Sequence, residues 1–332
     1  MSTGVVRIAL DGMGGDHAPR EIVKGALGAL EDGALEVILV GREAELRAAL
    51  PNGVPAPAGI RFHHAEEVVP MHATFSEAWA AKDTSVSSAA ALAKQGEADA
   101  VISAGNTGAA VAAAFRILGR LEHVERPAIL SILPTAGHGD VAILDVGANV
   151  DCKPSHLLAF AKMGHVYMKE VLGYEDASVG LLNIGEESCK GNEVVREAYK
   201  LISESGLPFV GNVEGNQIFS GACRVVVCDG FVGNAVLKSL EGCAEFILEA
   251  ATGMVGEAVS TGLLLKDVAE QMLQQMHKRF HYAAHGGALL LGVNGVFVIC
   301  HGRSDHRAVA SAIRMAARAA RSGLVQKTRL AI

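Results

Sequence analysis

Five apolar runs in this chain end in a turn built from Gly, Asn and Asp, and each turn leads into residues spaced for a helix. The runs are IALDGMGGD (8–16), VISAGNTG (101–108), ILDVGANVD (143–151), LLNIGEESCKGNE (181–193) and VVCDGFVGN (226–234). Short apolar runs bounded by such turns read as buried strands. Strand followed by helix, repeated, predicts right-handed crossovers and a parallel-dominated sheet. Open α/β sheets bind ligands beyond the carboxyl ends of their strands. Five polar turns there predict a small anion held by several loops, since glycine leaves backbone N–H groups uncovered.

The same patterning places strands at 5–10, 35–40, 98–103, 128–133, 141–145, 178–183, 208–211 and 225–228. Helices are expected over 42–50, 84–96 (capped by Ser85 or Ser87), 109–119, 155–172 and 192–205. After Asn234 the character changes. Residues 235–254 and 263–280 read as long helices, the second with Leu264, Val268, Met272, Met276 and Phe280 four apart on one apolar face. The chain returns to strand through HGGALLLGVNGVFVICHGRSD and closes with a helix at 306–321. One α/β domain over 1–332 is expected, with a helical excursion at 235–281.

Composition agrees with this class. Half of the 332 residues are hydrophobic but only 5% aromatic, and 38 are glycine, as a sheet packed by Ala, Val, Leu and Ile requires. A formal net charge of −7 argues against nucleic-acid binding. Six scattered cysteines without a CxxC pair, and a first strand entered at Val5 with no secretory leader, predict a reducing, cytoplasmic setting. The longest apolar tract, 288–300, is interrupted by Asn294 and falls short of the roughly 20 residues that span a bilayer.

No cofactor and no metal are expected. DGMGGD does not match GxGxxG, no GxxxxGK[ST] is present, and the histidines form no HExxH. Neither a GxSxG elbow nor a Cys–His signature suggests a covalent intermediate. In SAGNTG, Asn106 and Thr107 either present donors to an anion or simply cap the next helix. In NIGEESCKGNE, Lys190, flanked by Gly191 and Asn192, is the best placed cation, or else a solvated loop lysine. In CDGFVGN, Asp229 and Asn234 flank Gly230 and Gly233, with Asn234 a candidate helix cap.

Taken in order, DGMGGDHAP, ISAGNTGA, LDVGANVDCKP, LLNIGEE with KGNE, VCDGFVGNAVLK and HGRSD resemble the bacterial phosphate acyltransferases of phospholipid synthesis, from about residue 8 to about residue 314. The resemblance implies an isocitrate/isopropylmalate dehydrogenase-like fold and a homodimer. It also implies transfer of a long-chain acyl group from acyl carrier protein to inorganic phosphate, giving acyl phosphate. Lys190 and Asn234 are the catalytic candidates it points to. Asn106, Thr107, Gly108, Asn149, Asn192, Asp229 and Gly233 are the substrate-binding candidates. Family members are cytoplasmic and associate with the membrane, and Leu263, Leu264 and Leu265 are the candidate contact here. Basic residues for an acidic carrier are Lys266, His277, Lys278, Arg279 and His281, or Arg307, Arg314, Arg318 and Arg321. Two positions depart from the family pattern: SEAWAAKDTS holds only Lys82 where relatives carry a basic run, and His285 replaces a usual tyrosine. A phosphotransacylase using short-chain acyl-coenzyme A and a β-decarboxylating dehydrogenase are the alternative enzymes. A scaffold without catalysis would have no use for the polar turns.

Overall fold

A computed structural model describes residues 4–31, 33–51, 55–137, 139–280 and 286–332, without the side chains of 277–280. His281 and His285, and the side chains of His277, Lys278, Arg279 and Phe280, therefore lie outside the described residues. The first half runs β1 (Val6–Asp11), α1 (Arg20–Leu30), β2 (Leu35–Gly41), α2 (Glu43–Ala48), β3 (Ile60–His64), α3 (Phe75–Ala80), α4 (Ser85–Lys94), β4 (Ala100–Ser103) and α5 (Thr107–Ala113), extended by a π-helical turn to Leu118. Next come β5 (Ala128–Pro134), β6 (Asp140–Leu144), α6 (Pro154–Glu170), β7 (Val179–Leu182), α7 (Glu193–Ser203), β8 (Phe209–Val213) and β9 (Val225–Val227). Last are α8 (Gly230–Ser260), α9 (Lys266–Phe280), β10 (Ala288–Leu291), β11 (Val296–Ile299), α10 (His306–Arg321) and α11 (Leu324–Ala331).

The eleven strands form one sheet in the order β3-β2-β1-β4-β11-β10-β5-β6-β9-β7-β8. Alternate residues of each strand face opposite ways, so the sheet carries two apolar layers. One holds Leu10, Leu130, Leu144 and Val298 against α1, α6 and α10. The other holds Ala9, Ile129, Ile143 and Phe297 beside the alanines of α4 and α5. Small side chains let those two helices lie close to the strands. Asp305 caps α10 by accepting the Ala308 N–H at 2.9 Å.

The sheet is parallel-dominated as expected, but its direction reverses. β11 pairs antiparallel with β10, β10 with β5, and β5 with β6. β6, β9, β7 and β8 are parallel to one another and run opposite to β1, β2, β4 and β11. The five glycine turns therefore do not share one end of the sheet. Those after β1 and β4 lie at one end; those after β6, β7 and β9 lie at the other.

Several local expectations also shift. Thr84, rather than Ser85 or Ser87, caps α4. α8 begins at Gly230 and Asp229 caps it, so Asn234 sits inside the helix rather than at its cap. β3, α3 and α11 carry no periodicity long enough to announce them.

Glycine positions give a direct check on this packing. A Cβ on Gly233 would run into the Asp145 carbonyl oxygen, so Gly233→Ala should cost about 3 kcal/mol, or prevent folding. A Cβ on Gly28, inside α1, would meet nothing within 4 Å, so Gly28→Ala should stabilise by about 0.5–1 kcal/mol. Urea unfolding of both variants measures the contrast.

Candidate active site

The turn after β6 is organised by one carboxylate. Asp145 is fully buried. Its Oδ1 accepts N–H bonds from Ile129 (2.9 Å), Gly147 (3.1 Å) and Ala148 (3.0 Å), and its Oδ2 from the Asn149 backbone and side chain, both at 2.8 Å. Burial pushes this carboxyl above its ordinary pKa, and the N–H donors oppose the shift. Asn149 spends its other amide hydrogen on the Pro127 carbonyl (2.7 Å), and its own carbonyl accepts the Gly230 N–H (2.7 Å). The turn thereby clamps the first turn of α8. Asp229 accepts the Val232 N–H at 2.8 Å, and Gly233 packs against Asp145. Three sequence candidates, Asn149, Asp229 and Gly233, build the turn around Asp145; Asn234 is the side chain they deliver. It is exposed, it has no hydrogen-bond partner among the described residues, and a Cβ on Gly147 would lie 3.7 Å from its Oδ1.

At the other end of the sheet, Asn106 is a strut as well. Its Oδ1 caps α5 through the Ala109 N–H (2.9 Å), and its amide donates to the Met71 (2.8 Å) and Ala73 (2.9 Å) carbonyls. Thr107 is exposed, while Gly108 sits against the Phe75 ring. Beneath them the Ser103 hydroxyl donates to buried Asp11 at 2.7 Å, and the Asp16 N–H reaches the Gly302 carbonyl at 2.8 Å. The first glycine turn thus supports the second and the HGRSD loop.

Lys190 stands apart. It is exposed, with no side-chain partner among the described residues, on the turn after β7. β7 lies two strands from β6, about 10 Å, so Lys190 shares the sheet end of Asn234. Its carbonyl accepts from Asn183 Nδ2 at 3.1 Å, and Asn192 caps α7 through the Val195 N–H at 2.9 Å.

Thr107, Gly147 and Asn234 all open on one groove of about 1000 Å³. Its floor is the antiparallel seam: Ile129, Ser131 and Leu133, alternate residues of β5, with Ala288 and Ile299 beside them. α8 forms a wall with residues from Asn234 to Ile247, a rise of about 20 Å. Met272 and Met276 of α9 close it. Most of the wall is apolar; polar groups lie at the two strand-end loops, and Gln275 of α9 and the Lys238–Glu241 ion pair of α8 add to them. Lys190 and Asn192 do not line it. His301 and Ser304 do, and no role was read for either in the sequence. The signal was there: HGRSD is a sixth apolar run ending in a glycine turn before a helix. Among the described residues, no three His, Cys, Asp or Glu side chains come together as a metal ion would require.

A family model described as "Fatty acid synthesis protein" matches residues 6–327. The chain is 46% identical over 327 residues to a phosphate acyltransferase of Desulfitobacterium hafniense, covering 97% of this chain and 96% of that protein. It is 47% identical over 331 residues to the one of Pelotomaculum thermopropionicum, covering 98% and 95%. Among solved structures, a phosphotransacetylase from Streptococcus pyogenes superposes with a TM-score of 0.62 at 17% identity, covering 95% of this chain and 94% of that one. A 4-hydroxythreonine-4-phosphate dehydrogenase from Klebsiella pneumoniae does so at 0.54 and 13%, covering 96% and 100%. These two likenesses establish a dehydrogenase-like fold.

The Asp145 hub should be sensitive to loss of one acceptor. Asn offers a single oxygen and sets an NH₂ against N–H donors, so at least two of the five bonds fail. Asp145→Asn should cost about 3 kcal/mol or more, read by urea unfolding.

Proposed function

Because the chain belongs to the phosphate acyltransferase family, we propose that it transfers a long-chain fatty acyl group from acyl carrier protein to inorganic phosphate. The single observation that carries the long-chain reading is the apolar groove. Each buried methylene is worth about 0.8 kcal/mol. A chain of about fourteen methylenes therefore gains on the order of 11 kcal/mol before ordering costs. An acetyl group gains almost none of this, which favours a long-chain donor over short-chain acyl-coenzyme A.

Phosphate is an anionic nucleophile near neutral pH, and a thiolate is a good leaving group. One phosphate oxygen bonds to the thioester carbon, the C–S bond breaks, and sulfur leaves as a thiolate that takes a proton from solvent. No enzyme nucleophile is needed. What the protein supplies is position and donors for the developing oxyanion. Asn234 is the donor that faces the groove, and Thr107 faces it from the opposite loop. Lys190, on its flexible stem at the same sheet end as Asn234, is the cation that meets phosphate at the entrance. Asn106, Asn149, Asp229, Gly108 and Gly233 act by shaping the turns, and Asn192 by starting α7 behind Lys190.

The α8–α9 pair supports a homodimer with peripheral membrane contact. Phe246 and Met254 of α8 are each 72% exposed, large apolar side chains that a partner subunit would cover. Leu263 and Leu265, at 83% and 76% exposed, form the tip between the helices. No helix among the described residues is long and apolar enough to cross a membrane. Of the basic residues considered for carrier docking, Arg318 and Arg321 donate to the Leu172 and Ala34 carbonyls, which leaves less of that helix face for a partner.

Incubation with hexadecanoyl-acyl carrier protein and phosphate should yield hexadecanoyl phosphate, with acetyl-coenzyme A at least about 100-fold poorer in kcat/KM. Asn234→Ala should lower kcat about 10²–10³-fold; an unchanged kcat in a folded variant removes Asn234 from the reaction. Separately, the double substitution Leu263→Glu with Leu265→Glu should abolish flotation with anionic vesicles while leaving the dimer intact by sedimentation.

A further inference from the structure

The groove wall facing α8 holds a polar group for which the reaction above has no use. Ser304 lies in the loop between β11 and α10. It lines the groove, is only 5% exposed, and its hydroxyl has no hydrogen-bond partner among the described residues. Its backbone N–H is engaged, donating to the His301 carbonyl at 2.9 Å. The hydroxyl oxygen itself is not sealed in the protein: it reaches the open groove, where it is available to a ligand. Thr107, across the same opening, carries a second hydroxyl without a partner among the described residues. In the same loop as Ser304, His301 also lines the groove, and its Nδ1 accepts the Arg303 N–H at 3.2 Å.

The charge around these hydroxyls decides what they can hold. Asp305 already caps α10, and Glu21 accepts the His306 N–H at 2.9 Å. Asp16 lies beside Gly302, and Asp11 is buried beneath. Arg303 is exposed but does not line the groove. A phosphate dianion would meet the Asp305 and Asp16 carboxylates here and find the His306 and Ala308 N–H groups of α10 taken. A neutral amide would not: a hydroxyl both donates and accepts, matching the C=O and N–H of an amide.

We propose that Ser304, together with Thr107, binds the neutral, amide-bearing arm that carries the acyl thioester, while phosphate enters from the opposite, Asn234 side. This rests on the acyl-transfer reading above. The two substrates then approach the thioester carbon from opposite strand-end loops, and the acyl chain lies along α8 between them. Ser304 forms and breaks no covalent bond; it binds.

Steady-state kinetics of the full-length protein and its Ser304→Ala variant test this with two donors, hexadecanoyl-acyl carrier protein and S-methyl hexadecanethioate, which has no arm. Ser304→Ala should raise KM for the carrier-borne donor about tenfold. It should leave KM for phosphate within about twofold and act on the methyl thioester as the parent does. Loss of a hydroxyl that only faces the groove should leave Tm unchanged. A raised KM for phosphate alone would assign Ser304 to the anion and overturn the proposal. So would kinetics unchanged on both donors, an equal loss on the methyl thioester, or a lowered Tm, which would reveal a structural partner. If the parent protein makes no acyl phosphate from the carrier-borne donor, the acyl-transfer reading itself fails and takes the subsite with it.

Discussion

The antiparallel seam in the middle of the sheet is the constraint on which the rest depends. β11, β10, β5 and β6 alternate in direction, so two parallel halves point opposite ways within one continuous sheet. A uniformly parallel sheet would have gathered every glycine turn at one end and left a crevice there. The reversal instead sets polar loops at both ends of a groove whose floor is the seam. Ile129, Ser131 and Leu133 make that floor because β5 alternates its faces, and α8, starting at one end, passes over them. An apolar channel with polar loops at either end suits a substrate that is apolar in the middle and meets two polar partners.

The seam is held by hydrogen bonds to buried acids. Asp145 joins the start of β5 to the turn after β6 and to Asn149, and Asn149 holds the start of α8. Asp11 does similar work under the other set of loops with Ser103. A carboxylate is costly to bury unless N–H and O–H groups surround it. Where they do, it fixes a turn that packing alone would leave soft. Most of the conspicuous polar residues are therefore struts. At the strand-end loops, Asn234, Thr107 and Ser304 are side chains that line the groove without a partner among the described residues.

Much of the fold was legible in the sequence. The strands β1, β2 and β4, the helix at 306–321 and the long helices after Asn234 follow from periodicity. Their cores are nearly pure Ala, Val, Leu and Ile. β3 and α3 were not legible, because IRFHH is half exposed and FSEAWA is held by its Thr74–Glu77 capping box rather than by a buried face. Of the candidate site, Asn234 was legible only as a polar residue on a strand-end turn; its place one turn inside α8, lining the groove, was not. A cap goes to whichever residue can accept an N–H in extended backbone, and both Asp229 and Asn234 qualify on composition. Ser304 was invisible for a different reason: a serine in a turn is ordinary until its burial and its missing partner are known.

By itself the sequence determined the α/β class, the glycine turns and the family, because these rest on local periodicity and on ordered motifs that survive without coordinates. Tertiary structure alone decided strand direction, and with it which turns meet. Direction depends on how β10 and β5 pair across about 160 residues, between runs whose apolar pattern reads the same in either orientation. It also decided which polar side chains are spent on backbone and which remain for a ligand, since a hydrogen bond belongs to a pair and no single residue announces its partner.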